Sequence, residues 1–158
     1  MKPAKFFQSY PTQDDLKAEV YAHPELYGKT SISQFIKDNL PLESAFQAEI
    51  IKALRGWQKK GWISPDALIW KQSAGVYNRN GMPDLMAIID SRFIAFEVKR
   101  PYIGVATKLQ EKTIEQIKQA GGIAEVICFP AGAQAMLIKA GLWRGPLTDA
   151  PEEGGEAE

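Results

Sequence analysis

The sequence of 158 residues predicts an α/β fold in which a central mixed β-sheet is flanked by helices. Two apolar stretches, 85–89 and 93–98, flank the dipeptide Asp90-Ser91 and indicate two buried strands joined by a two-residue turn. Segments with apolar residues at 3- and 4-residue spacing precede and follow this pair, as in amphipathic helices. The predicted order is helix, three strands, helix, strand and helix.

Residues 1–41 are interpreted as an N-terminal extension, and residues 1–40 are a candidate surface for a partner. Prolines and a glycine interrupt its short apolar patches. Residues 30–36 predict one short helix, which Pro41 ends.

The first helix of the core begins after Leu42. Apolar residues recur there at helical spacing over about four turns, at Phe46, Ile50, Ala53, Leu54 and Trp57. Gly61 lies past the predicted end of this helix. Residues 67–71 are strand-like, and residues 72–82 are rich in Gly, Ser and Asn, which predicts a loop.

A second helix is predicted after the strand pair. Thr107 and Gln110 match a T-x-x-Q capping box at its start, and Gly121-Gly122 provide a stop. A buried strand over 123–129 and a last helix over 131–140 complete the predicted fold.

Composition excludes some classes of protein. Hydrophobic residues make up 45% of the chain, which is ordinary for a globular domain. No apolar run approaches the roughly 18–20 residues that a membrane span needs, and the N-terminus lacks the apolar region of a secretory signal. The single cysteine, Cys128, cannot form an internal disulfide. We therefore expect a cytoplasmic protein; a phage or mobile-element origin is one interpretation of such a short chain.

Charge divides the chain into three predicted parts. Residues 43–148 contain 14 Lys and Arg against 9 Asp and Glu, whereas residues 149–158 contain five acids and no base. We interpret residues 1–41 as the extension, 42–148 as the functional domain and 149–158 as an acidic, disordered tail. The basic excess of the domain is compatible with a polyanionic partner.

The predicted strand pair contains charged residues, and burying a charge costs free energy unless the charge is paired. With a two-residue turn at 90–91, Asp84 lies opposite Glu97, because paired residue numbers then sum to 181. Lys99 is two residues beyond Glu97 and projects from the same face. A divalent cation would relieve the repulsion between the two carboxylates, and Mg²⁺ is commonly held by one or two carboxylates and water. The alternative is structural: Asp84 ends a turn, and Glu97 and Lys99 form an ion pair on the sheet rim.

Five short motifs occur in order along residues 42–130. They are Glu43…Gln47, Gly81-Met82-Pro83-Asp84, Glu97-Val98-Lys99-Arg100-Pro101, Thr107…Gln110 and Gly121-Gly122. Together they resemble the PD-(D/E)XK nucleases, and more particularly the VRR-NUC branch, which is related to the Holliday-junction resolvases. The resemblance implies an αβββαβ restriction-endonuclease-like core and metal-dependent hydrolysis of phosphodiester bonds.

The resemblance also implies roles for individual residues. Asp84 and Glu97 would bind Mg²⁺ or Mn²⁺, with the backbone carbonyl of Val98 as a third ligand. Lys99 would position or activate the attacking water. Gln110 would orient Lys99 or the phosphate.

Glu43 would reach the metal, directly or through water, by the same resemblance. The alternative for Glu43 is an ordinary acidic residue that interacts favourably with the helix dipole. Residues near the motifs that could contact the nucleic acid are Lys71, Arg79, Asn80, Arg100 and Lys108.

The leading hypothesis is a Mg²⁺- or Mn²⁺-dependent nuclease that acts on DNA, with selectivity for branched or flapped structures by family analogy. The alternatives are a non-catalytic nucleic-acid-binding module on the same fold and an interaction protein that docks partners through residues 1–40. Cutting two strands needs two active sites, so a symmetric homodimer is expected.

Overall fold

A computed structural model describes residues 1–73, 75 and 79–147 of the chain. The helices and strands, in chain order, are α1 (Ala4–Phe7), α2 (Gln13–Ala22), α3 (Pro24–Tyr27), α4 (Ile32–Asn39), α5 (Glu43–Lys60), β1 (Leu68–Lys71), β2 (Leu85–Ile89), β3 (Arg92–Val98), α6 (Lys108–Gln119), β4 (Ile123–Ile127) and α7 (Pro130–Lys139). From α5 onwards, this order is the predicted one.

The four strands form one mixed sheet in the order β1-β2-β3-β4. The β1–β2 and β2–β3 pairs are antiparallel, and β4 pairs with β3 in parallel. A parallel neighbour requires a crossover connection, which α6 provides. The predicted fold class, an α/β protein with a mixed sheet and flanking helices, is confirmed.

The turn between β2 and β3 has the predicted length and register. Asp90 and Ser91 have φ angles of 48° and 64°, as a type I′ turn requires. Leu85 pairs with Phe96, and Ile89 pairs with Arg92, so paired numbers sum to 181. This register decides which side chains of β3 face each side of the sheet, because a shift by one residue would exchange the two faces.

The two faces of the sheet carry separate apolar clusters. On one face, Leu85, Ile94 and Phe96 pack with buried residues of α5 and α7 in the larger cluster. On the other face, Met86 and Ala95 pack with Ile114 of α6. Glu97 alternates with Phe96 along β3 and therefore projects toward the α6 side.

The N-terminal helices belong to the larger cluster. Phe7 of α1, Leu16 of α2 and Phe35 of α4 are at most 3% exposed and pack in the same cluster as α5. The predicted short helix at residues 30–36 is present as α4, capped by Ser31. The proposed division at residue 41 stays a prediction, but residues on both sides of it share one core. Residues 148 and 149–158, which include the predicted acidic tail, lie outside the described residues.

The last strand and the last helix differ from the prediction. The strand expected to be buried over 123–129 is shorter, ends at Ile127 and lies at an edge of the sheet. Val126 is 43% exposed, because an edge strand has a neighbour on one side only. The last helix begins at Pro130 and ends at Lys139, one residue earlier at each end than predicted. Among the described residues, no helix combines the length and the apolar character needed to cross a membrane.

Candidate active site

The charged residues of the motif meet at the end of the sheet where β2 begins and β3 ends. Asp84 directly precedes β2, Glu97 is near the end of β3, and Lys99 follows that strand. Two helices also begin at this end of the sheet: Glu43 is the first residue of α5, and Gln110 is the third residue of α6. The predicted catalytic residues therefore come from four separate elements.

Glu97 is the most deeply buried charged residue of the site, with 1% of its side chain exposed. Its Oε1 atom is 3.1 Å from the Lys99 Nζ and accepts a hydrogen bond of 2.6 Å from the Gln110 Nε2. Its Oε2 atom is buried and has no hydrogen-bond partner among the described residues. A buried carboxylate oxygen without a partner is costly, and such orphaned atoms are rare in folded proteins.

Burial raises the pKa of Glu97 to about 7, and the negative charge of Asp84 adds to this increase. The neighbouring Lys99 opposes the increase. Burial alone would lower the pKa of Lys99, but its bond to Glu97 and the nearby carboxylates leave that pKa raised. The Lys99 ammonium thus lies among carboxylates, and it compensates only part of the repulsion between Asp84 and Glu97.

Asp84 is fixed by the neighbouring strand. Its Oδ2 atom accepts a hydrogen bond of 2.9 Å from the backbone N–H of Val98. Its own carbonyl accepts from the N–H of Gln72 at 2.8 Å, which extends the β1–β2 pairing by one step. The N–H and C=O of a strand residue point to the same side, so the Val98 carbonyl also faces the Asp84 side.

Glu43 reaches the cluster through Lys99: its Oε2 atom lies 3.8 Å from the Lys99 Nζ. Within residues 1–73, 75 and 79–147, no three His, Cys, Asp or Glu side chains are close enough together to hold a metal ion. Glu43, Asp84 and Glu97 thus do not form a set of three direct carboxylate ligands. The metal contact through water stays a prediction for Glu43.

The remaining donor set fits a hard divalent cation. In metal sites, a ligating carboxylate often has one oxygen held by hydrogen bonds, which orients the other oxygen. Glu97 has this arrangement, with Oε1 bonded twice and Oε2 unpartnered. Two carboxylates and a backbone carbonyl are ligands that Mg²⁺ accepts, with water at the other positions.

Gln110 is held by the predicted capping box. Its Oε1 accepts from the N–H of Thr107 at 2.8 Å, while the Thr107 hydroxyl accepts from the N–H of Gln110 at 3.2 Å. The Nε2 of the same amide donates to Glu97. The amide expected to orient Lys99 or the phosphate is thus bonded to a carboxylate of the site instead.

Two glycines, Gly81 and Gly104, lie in close contact with neighbouring segments beside the site. A Cβ at Gly104 would lie 2.7 Å from the Arg100 carbonyl oxygen and 2.9 Å from the Lys99 Cβ. A Cβ at Gly81 would lie 2.6 Å from the Leu109 Cγ of α6. Both glycines allow a loop to pack tightly beside the site, and this requirement depends on contacts that sequence spacing does not reveal.

Four of the predicted nucleic-acid contacts are exposed around the site: Lys71, Arg79, Asn80 and Lys108. Arg79 and Asn80 line a cleft of about 360 Å³ that also includes Gln72 and Asp84. The Nη2 of Arg79 donates to the Oε1 of Gln116 at 2.8 Å, which connects this loop to α6.

Arg100 is placed differently. Its Nε donates to the carbonyl of Pro41, and its Nη2 donates to the carbonyl of Leu40, both at 2.9 Å. A guanidinium that holds two backbone carbonyls is not directed at a phosphate. The contact predicted between Arg100 and nucleic acid is therefore not the one that its geometry favours.

Comparisons with known proteins add one likeness. No protein-family model matches the chain, and no curated protein matches it. A solved structure described as "VRR_NUC domain" is similar, with 21% identity, 58% of this chain and 95% of that chain covered, and a TM-score of 0.42.

Proposed function

We propose that the protein is a divalent-metal-dependent nuclease that hydrolyses phosphodiester bonds of DNA. The observation that carries the proposal is the buried Glu97 carboxylate. Within the described part of the chain, its Oε2 lacks a partner, while its Oε1 is held by Lys99 and Gln110. An ion pair that serves only the fold is not expected to leave a buried carboxylate oxygen unpartnered, because such atoms are rare in folded proteins. The arrangement favours a carboxylate that is oriented for a ligand.

Asp84, Glu97 and the Val98 carbonyl would hold a Mg²⁺ or Mn²⁺ ion, with Glu43 acting through water. When bound, such an ion polarises a phosphoryl oxygen and lowers the pKa of a bound water. Gln110 keeps the Glu97 carboxylate in one orientation through its bond to Oε1. The backbone of Val98 does the same for Asp84.

Lys99 would act on the reacting groups. Its ammonium lies between Glu97 and Glu43, and 12% of its side chain is exposed. In this position it can orient the attacking water and stabilise the negative charge that develops on the phosphate. The mostly buried setting increases both effects, because a low local dielectric strengthens charge interactions.

The substrate would approach across the exposed rim formed by Lys71, Arg79, Asn80 and Lys108. Cationic side chains bind the phosphate backbone without reading sequence. The cleft beside Asp84 offers polar groups to a strand that leaves a duplex. Selectivity for branched or flapped DNA is proposed from the resemblance of the sequence motifs alone, and action on two strands would require a homodimer.

The test is cleavage of linear, flapped and four-way DNA by the full chain with Mg²⁺, with Mn²⁺ or with EDTA. We expect cleavage only with metal. Asp84→Ala and Lys99→Ala should each lower the rate on the order of 10³-fold, because each removes a group that acts in the transition state. Lys52→Ala, which removes an exposed lysine from α5, should leave the rate unchanged.

Circular dichroism and thermal melting of each variant show whether the loss reflects unfolding. Undiminished cleavage in both Asp84→Ala and Lys99→Ala would contradict the assignment. Metal-independent binding of DNA without cleavage of any substrate would favour the non-catalytic module instead.

A further inference from the structure

Arg100 connects the active-site strand to the N-terminal helices. It directly follows Lys99, and its guanidinium donates to the carbonyls of Leu40 and Pro41 at 2.9 Å each. Leu40 is the C-terminal cap of α4 and is 3% exposed. The two bonds therefore join segments about 60 positions apart in the sequence.

The carbonyls that Arg100 holds lie just before Glu43. Pro41 is two residues from the start of α5, and Leu42, the N-terminal cap of that helix, makes no side-chain capping bond. Glu43 then returns toward the strand, with its Oε2 3.8 Å from the Lys99 Nζ. Residues 40–43 and 99–100 are thus joined at two points, by the Arg100 hydrogen bonds and by the Glu43–Lys99 ion pair.

Arginine is suited to this position. Hydrogen bonds from a charged donor are about twice as strong as neutral ones, and the planar guanidinium can hold two acceptors in one fixed geometry. The positive charge also lies at the C-terminus of α4, where it interacts favourably with the helix dipole. Lysine would keep the charge but could not reproduce the two-pronged geometry.

The turn after Arg100 adds contacts in the same direction. Gly104 donates its N–H to the Arg100 carbonyl at 3.0 Å, and there is no room for a side chain at Gly104. The hydroxyl of Tyr102 donates to the carbonyl of Tyr10, which lies between α1 and α2. The N-terminal helices are therefore attached to the segment that carries Lys99, and not only to the apolar core.

We propose that Arg100 is a positioning residue that holds the α4–α5 junction so that Glu43 faces Lys99. One function of the N-terminal helices is then to support this junction. The inference rests on the proposed nuclease function. It assigns Arg100 to the geometry of the catalytic cluster and not to binding of the phosphate backbone.

The two roles predict different kinetics. Loss of a phosphate contact weakens DNA binding and raises KM, whereas loss of positioning lowers kcat at saturating DNA. We expect Arg100→Met to lower kcat roughly 10-fold and to change KM by less than about threefold. Arg100→Lys should recover part of kcat. A rise in KM with unchanged kcat would overturn the proposal.

A double-mutant comparison tests whether Arg100 acts through Glu43. If it does, the variant Glu43→Gln with Arg100→Met should have the kcat of Glu43→Gln alone, because the second change removes nothing further. Independent losses that multiply would contradict this role. Arg144→Met is the matched control: Arg144 also joins two segments, through Asp90, but lies at the other end of β3. It should leave kcat unchanged.

Hydrogen exchange, followed by mass spectrometry, tests the clamp without any need for activity. The amide of Leu40 bonds to Ile36, and that of Ala45 bonds to Leu42. Arg100→Met should accelerate exchange across residues 40–46 several-fold, and Arg144→Met should not. Unchanged exchange there would overturn the clamp. If the wild type neither cleaves DNA nor binds Mn²⁺, the nuclease proposal fails, while exchange still decides whether Arg100 holds the junction.

Discussion

The two ends of β3 contain contrasting charge clusters. At the hairpin end, Arg144 donates to both carboxylate oxygens of Asp90 at 2.9 Å, and the side chains are 49% and 36% exposed. At the opposite end, Glu97 and Lys99 are 1% and 12% exposed. There, one oxygen of the Glu97 carboxylate has two partners, and the other has none in the part of the chain that the structure describes.

The difference separates a structural ion pair from a candidate catalytic cluster. Exposed pairs typically contribute about 0–1 kcal/mol and need no further ligand. A buried carboxylate that is close to another carboxylate is destabilising unless something compensates it. A fold can retain such an arrangement when it is needed for function, and strongly perturbed pKa values concentrate at functional sites for this reason.

The largest expected difference between the two ends concerns metal binding. Glu97→Gln should weaken Mn²⁺ binding at least about 100-fold, because the neutral amide is a far poorer ligand for a divalent cation than a carboxylate. Asp90→Asn, the same chemical change at the hairpin end, should leave the affinity within about twofold. Isothermal titration calorimetry measures both. Equal Mn²⁺ affinities in the two variants would contradict the assignment of the metal site to the Glu97 end of β3.

The pH dependence of stability should also differ between the ends. The pKa of Glu97 is about 7 in the folded protein and ordinarily 4.5, so the folded state binds more protons between these values. The free energy of unfolding of the metal-free protein should therefore fall as pH rises from about 4.5 to about 7. In EDTA, the melting temperature of Glu97→Gln should rise relative to the wild type over this window, by a few degrees.

Thermal melts at a series of pH values test this expectation, with Asp90→Asn as the hairpin-end control. A difference between Glu97→Gln and the wild type that stays constant from pH 4.5 to pH 7 would contradict it.

The smallest expected effect concerns DNA binding by single surface lysines. Lys108 begins α6 near the site, whereas Lys139 ends α7 and lines a cleft with Arg92 at the hairpin end. Lys108→Gln should weaken binding a few-fold and lower the salt slope by about 1, since each phosphate contact releases about one counterion. Lys139→Gln should change neither.

Fluorescence anisotropy with labelled flap DNA measures both quantities, in the Lys99→Ala background to prevent cleavage. Equal losses in the two lysine variants would indicate general electrostatic attraction and not a binding face at the catalytic end.

Most of the core fold could be predicted because the signals are local. The turn at Asp90-Ser91 determines the register of β2 and β3, and the capping box at Thr107 and Gln110 determines the start of α6. Each depends on residues a few positions apart. The exposure of β4 was not predicted, because an apolar run of this length does not show whether the strand has one neighbour or two.

The sequence by itself determined that Asp84, Glu97 and Lys99 share one face of the β2–β3 pair at the end opposite the turn, because strand side chains alternate and the turn has a fixed length. Only the tertiary structure decided that Glu97 has an unpartnered oxygen, that Gln110 bonds to Glu97 and that Arg100 holds the junction before α5. These contacts join elements that are distant in the sequence. Their geometry follows from how helices pack on the sheet, which no local pattern encodes.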